Sequence, residues 1–126
     1  MANLKQCALS LLSTTTVALN ADADTVIYTV PTGKRCILSH AILVAGGDAG
    51  ATTTISIGAN GSETDWLAAN TLSNLDAQYD CVVLQPIPNT TPLKGKSYAA
   101  GTVIDARVAS QSGTATNTLY LYGTLS

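Results

Sequence analysis

Apolar and polar positions along this chain alternate with a period of two far more often than with a helical period, which predicts strands nearly throughout. The pattern is plainest in Thr25–Val44, TVIYTVPTGKRCILSHAILV. Val26, Tyr28 and Val30 alternate with Thr25, Ile27 and Thr29, and Arg35 to Val44 continues as a longer run with hardly a polar break. Between the two runs Pro31 presets φ for a turn and Gly33 supplies a permissive one. The stretch reads as a β-hairpin whose second strand is covered on both faces. Ahead of it, Leu9, Leu11, Thr15, Val17 and Leu19 alternate as a first strand, followed by the turn cluster Asn20-Ala21-Asp22-Ala23-Asp24.

Beyond the hairpin, Ala45–Gly50 is a loop and Thr52–Gly58 a strand with Ile55 and Ile57 on one side. Asn60-Gly61 is a hairpin turn leading into a short return strand, Glu63–Leu67. Ala68–Asp76 alone has helical leanings, one turn at most. Tyr79–Gln85 is a strand that Pro86 and Pro88 end, because proline cannot donate to a ladder. Leu93–Tyr98 is a short edge segment on which Lys94 and Lys96 discourage strand addition. In Thr102–Ala109, Ile104, Ala106 and Val108 point inward while Val103, Asp105 and Arg107 point outward. In the last strand, Asn117–Leu125, Leu119, Leu121 and Leu125 point inward while Tyr120 and Tyr122 point outward. About eight strands with regular turn signals predict an all-β fold, an antiparallel β-sandwich best fitted by an eight-stranded jelly roll. The sandwich occupies residues 13–126, and an extended N-terminal arm occupies residues 1–12.

Composition narrows what such a fold does. Charged residues make up 11% of the 126, against about 25% in ordinary soluble domains. A surface of hydroxyls and small side chains repels neighbours poorly and suits a protein partly covered in an assembly, as well as a secreted β-domain. The net charge of -2 provides no basic footprint for nucleic acid and no cationic stripe for a membrane surface. The apolar run after Lys5 is too short for a signal core, and no stretch is long enough for a membrane span. Cys7, Cys36 and Cys81 form no CxxC pair and share the chain with one histidine, so no zinc set is expected. The apolar surroundings of Cys36 and Cys81 favour buried, reduced thiols and a reducing compartment of synthesis over the alternative of one disulfide plus a free thiol.

Candidate chemistry is sparse. Ser39 and His40 are neighbours in a strand and should face opposite sides, which rules out a nucleophile–base pair. The pairs Glu63/Asp65 and Asp22/Asp24 read as solvated turn carboxylates, and Asp105 with Arg107 as a surface ion pair. Gly46-Gly47 lacks the lysine and helix of a phosphate loop. The expectation is a protein that is no enzyme and has no catalytic residue, cofactor or metal. Tyr120 and Tyr122, side by side on an outer face, fit either a protein contact or a cross-strand pair within their own sheet. Trp66 is either a lid over one end of the sandwich or a contact residue.

Three segments carry a resemblance. Tyr28-Thr29-Val30-Pro31-Thr32-Gly33-Lys34-Arg35 resembles the Tyr-x-Val-Pro-x-Gly-Lys-Arg strand–turn–strand of small virion proteins of tailed bacteriophages. A Thr/Gly loop with a Thr-Ile-Ser-Ile strand follows, as in that family. Tyr98-Ala99-Ala100-Gly101-Thr102-Val103-Ile104-Asp105-Ala106 is similar to the start of a late strand there, departing from the family pattern at Tyr98 and Thr102. The resemblance implies a jelly-roll virion component of the capsid decoration (cement) type. Such a protein is made in the host cytoplasm, binds the major capsid protein on the outside of the shell and often forms a homotrimer. Leu4, Leu9 and Leu11 on the arm, with Trp66, Tyr120 and Tyr122, would then be interface residues. The other readings are a head-fibre, neck or tail module, and a carbohydrate-binding β-sandwich with Trp66 in a sugar platform.

Overall fold

In the computed structural model, residues 9–87 and 95–126 are described; the expectations on Leu4, Cys7 and residues 88–94 lie outside them. The described residues form nine strands and no helix: β1 (Ser10–Ala18), β2 (Ala23–Thr29), β3 (Cys36–Val44), β4 (Thr54–Ala59), β5 (Ser62–Thr71), β6 (Cys81–Leu84), β7 (Ser97–Tyr98), β8 (Val103–Ala109) and β9 (Thr116–Leu125). β1 takes in Leu11 and Leu12 at the end of the expected arm and pairs Leu11 with Tyr122.

Two antiparallel sheets make the sandwich. The first has the order β1-β9-β3-β6, with β7 also on β3, and the second β2-β8-β4-β5. β6 pairs with the Ala41–Val44 end of β3 and β7 with Cys36 and Ile37, so together they form one interrupted strand. Counted that way, there are eight strands with nested pairings: first with eighth, second with seventh, third with sixth, fourth with fifth. Such nesting is the winding of a jelly roll.

The core lies between the sheets. Val17, Leu43, Leu119 and Leu121 from the first sheet and Ile55, Ile57 and Ile104 from the second are fully buried. Alternation produces this arrangement, since successive side chains on a strand point to opposite faces. The interior is built without phenylalanine, from β-branched residues and leucine, with Trp66 and Tyr98 the large aromatic contributors.

The Thr25–Val44 stretch is not a hairpin: β2 and β3 lie in different sheets. Pro31 to Lys34 is the crossover between them, tightened by Lys34 N–H donating to Pro31 O at 3.2 Å, with Gly33 at φ +76°. Nor is β3 covered on both faces. Cys36, Leu38, Ala41 and Leu43 are buried, whereas Ile37 and Ser39 are exposed and His40, Ile42 and Val44 half-buried. The Asn60-Gly61 hairpin joins β4 and β5 as expected, with Ala59 opposite Ser62. The return strand runs on through Ala68–Thr71, where helical leanings were expected, because Thr71 and Asn70 pair with Thr54 and Ile55. β5 is an edge strand of its sheet, and its Ala68–Thr71 end is exposed or half-buried.

Candidate functional site

The register aligns side chains of the first sheet in rows across its outer face. Thr14, Tyr120, Ile42 and Val83 make one row across β1, β9, β3 and β6. Leu11, Tyr122 and His40 form a second. Thr16, Thr118, Val44 and Cys81 form a third. Thr124, Ile37 and Ser97 form a fourth. No Lys, Arg, Asp or Glu stands in these rows, and one charge reaches their end: Arg35 Nε donates to Ser97 Oγ at 3.2 Å. Leu11, Ile37 and Val83 are 49%, 49% and 61% exposed, so apolar side chains reach water in the middle and at both edges of the face. A broad uncharged apolar patch on a sheet is what a protein contact covers.

Tyr120 and Tyr122 stand on this face as expected, half-buried, while Leu119 and Leu121 between and beside them fill the core. The His40 ring stacks on Tyr122, centroids 4.8 Å apart and planes 11° from parallel. A β-bulge between Leu38 and His40 shifts the register of β3 against β9. It corrects the expectation for Ser39: its Oγ lies 3.0 Å from His40 Nδ1, although the residues are neighbours in a strand. A bulge breaks the strict opposition of successive side chains. The pair fixes the imidazole edge while Tyr122 fixes its plane.

The remaining sequence candidates go elsewhere. Leu9 is exposed just before β1. Trp66 is 6% exposed and packs in the core. It is a core residue and presents no open ring for a protein contact or a sugar; a recess of about 290 Å³ beside it is lined also by Thr64, Ala69 and Ile87. Cys36 is buried, and burial pushes its thiol up to about 11. Cys81 is exposed, contrary to expectation, since β6 turns it outward onto the uncharged face.

The outer face of the second sheet has the opposite character. Asp24, Arg107 and Ser56 form one cross-strand row, and Val26, Asp105 and Gly58 the next. Arg107 does not pair with Asp105. Its Nε and Nη2 donate to Asp24 Oδ1 and Oδ2 at 2.8 and 3.0 Å, and Nη2 stands 3.1 Å from Glu63 Oε2. The guanidinium holds the Asp24 carboxyl below the usual carboxylate range. Asp105 points outward yet is buried, accepting from Asn60 Nδ2 at 2.9 Å. Desolvation raises its carboxyl above the usual range, and the charges of Asp24 and Glu63 add to the rise. Glu63 is buried rather than solvated. Asp65 accepts from Tyr98 Oη at 2.7 Å and from Ala59 N–H at 3.1 Å, and lies 3.4 Å from Lys96 Nζ. Asp22 accepts from Gln111 N–H at 2.9 Å.

Buried and half-buried carboxylates with partners were beyond the sequence because each partner comes from a distant strand: Arg107 for Glu63, Tyr98 for Asp65. Spacing within one segment carries no such signal. Of the six residues expected at an interface, the fold brings Leu11, Tyr120 and Tyr122 onto one face, and adds Ile37, His40, Ile42 and Val83, which the hairpin reading had hidden.

No protein-family model and no curated protein matches the chain. Among solved structures, the fold is similar to a chain described as "Cyanophage Pam1 capsid asymmetric unit", with a TM-score of 0.54 and 14% identity, covering 94% of this chain and 86% of that one. At that identity the likeness is one of fold.

Proposed function

We propose that the protein is a structural component of a bacteriophage virion, of the capsid decoration type, which docks on the shell through the outer face of the β1-β9-β3-β6 sheet. The observation that carries this reading is the uncharged face itself: four rows of side chains without a formal charge, while the Arg107 ion pairs with Asp24 and Glu63 stand on the opposite sheet. Covering Leu11, Ile37 and Val83 removes apolar surface from water without desolvating a charge, at a gain of about 25 cal/mol per Å². Tyrosine suits such a contact, because its ring buries area and its hydroxyl finds a polar partner. The likeness in fold to a chain of a phage capsid unit supports the same reading, as does the Tyr28–Arg35 segment. Docking on the shell places the protein on the virion surface, and a homotrimer is the assembly in which it would bind.

Co-sedimentation with shells of the same virus that lack this protein tests the proposal. Wild-type protein is expected to pellet with the shells. A Val83→Glu, Ile37→Glu variant, altered only at exposed positions, is expected to bind roughly tenfold or more weakly, since each contact would bury an unpaired charge. Equal binding by the two proteins would overturn the assignment of the face. Size-exclusion chromatography with light scattering reads the oligomer: a trimer supports the decoration type, and a monomer points to a fibre, neck or tail module.

A further inference from the structure

Away from the uncharged face, Asp24 on β2, Glu63 on β5 and Asp105 on β8 bring one carboxylate oxygen each to within 4.8 Å of one another. Calcium holds oxygen ligands at about 2.3–2.6 Å, so oxygens on opposite sides of one ion stand roughly that far apart. The three residues come from three strands of the second sheet, so the set is assembled by the fold and not by one acidic loop.

Hydrogen bonding leaves the cluster short of positive charge. Arg107 takes both oxygens of Asp24 and one of Glu63. Gly61 N–H takes Glu63 Oε1 at 3.0 Å, and Asn60 takes Asp105 Oδ2. Asp105 Oδ1 has no partner, on a residue 1% exposed. A buried carboxylate oxygen without a donor is costly and calls for a ligand. Three carboxylates against one guanidinium leave a surplus of negative charge around that atom.

We propose that Asp105, with Asp24 and Glu63, binds a hard divalent cation of the calcium class on the outer face of the second sheet. The ion gives Asp105 Oδ1 its missing partner and clamps β2 and β5 to β8. Arg107, whose side chain is 46% exposed, lies beside a recess of about 340 Å³ lined by Asp22, Ala23 and Asp24. The recess gives the guanidinium room to move off Asp24 as the ion arrives. The proposal stands apart from shell docking, since it concerns the opposite sheet.

The test is calorimetric titration of the full chain, stripped with chelator, with calcium chloride, together with thermal unfolding in chelator and in millimolar calcium. Binding of one ion per chain is expected, with a rise in Tm on the order of a few degrees. Asp105→Asn is expected to remain folded by circular dichroism and to lose both responses. Asp24→Asn, at a more exposed position on an edge strand, should weaken binding by about tenfold or more and carries the comparison if Asp105→Asn fails to fold. Absence of heat and of any Tm change in the wild type with calcium and with magnesium overturns the proposal. Undiminished binding by the variants also overturns it.

Discussion

The imidazole of His40 and the phenol ring of Tyr122 stack at 4.8 Å between centroids, joining β3 to β9 on the face where the sheet meets water. A stacked cross-strand pair contributes about 0.5–1.5 kcal/mol beyond the area it buries. A double-mutant cycle of His40→Ala and Tyr122→Ala, read by urea unfolding, should therefore return a coupling of about 0.5–1 kcal/mol. Strict additivity would show that the rings merely share a surface.

Tyr98 and Asp65 form a second link, this time between the sheets. The Tyr98 hydroxyl donates to Asp65 Oδ1 from a residue 4% exposed. Tyr98→Phe should cost about 1–2 kcal/mol by removing a charge-assisted donor. Burial, with the Asp65 bond added, pushes the Tyr98 phenol well above its ordinary value. The folded state thus holds this proton more tightly than the unfolded one, and stability should fall as pH rises above about 10. Ultraviolet titration should show Tyr98 ionising only together with alkaline unfolding.

Asp24 and Asp105 should contribute to the pH dependence with opposite signs. Asp24 is lowered below 3.8 by Arg107, so its contribution is present above that pH and is lost as pH falls through the folded value. Asp105 is raised above 3.8 by burial, so it favours the folded state most when protonated, and that advantage is lost as pH rises from 3.8 through the folded value. Urea midpoints measured from about pH 3 to pH 7 should therefore show less acid loss in Asp24→Asn and a gain towards neutral pH in Asp105→Asn.

Cys81 and Cys36 should differ sharply in reactivity. Cys81 is exposed, while Cys36 is buried with its thiol raised to about 11; the thiolate is the reacting form. In a Cys7→Ser background, Ellman's reagent should find one fast thiol in the folded protein and a second only on unfolding. Because Cys81 shares a row with Val44 and Thr118, docking through that face should protect it from maleimide labelling on shells.

Gly58 is opposite Asp105 on β4, and a side chain there would meet the Ser62 backbone and the Asp65 carboxylate. Gly58→Ala should destabilise by about 2 kcal/mol or more, measured by thermal unfolding, because a backbone neighbour cannot move aside as a flexible side chain can.

Much of the fold was legible because alternation is a local signal. Leu119 and Leu121 against Tyr120 and Tyr122 define both faces of β9 without any knowledge of its partner. What pairs with what is not local. A strand crossing to the opposite sheet and a strand turning back beside its predecessor both follow a Pro-Thr-Gly-Lys turn with alternating residues, so Val30 and Cys36 looked like the two arms of one hairpin. The bulge at Leu38–His40 depends on register with β9, and nothing in Ser39-His40 announces it. For the candidate face, Tyr120 and Tyr122 were readable as outward aromatics, whereas His40, Ile42 and Val83 join them only once β3 and β6 are seen beside β9. Asp105 looked like a surface charge because its position is outward. Its burial comes from Asn60 and the neighbouring strands.

The pairing of β1 with β9 also sets when the proposed docking face exists. Its rows are drawn from strands more than 100 residues apart in the sequence, so they form only after residue 125 has left the ribosome. Long-range pairings of this kind close late and slowly. A nascent or half-folded chain therefore carries Leu11 and Ile42 but no assembled surface. Under the proposed docking, competence to join a shell waits on the pairing of β9, a timing control supplied by topology.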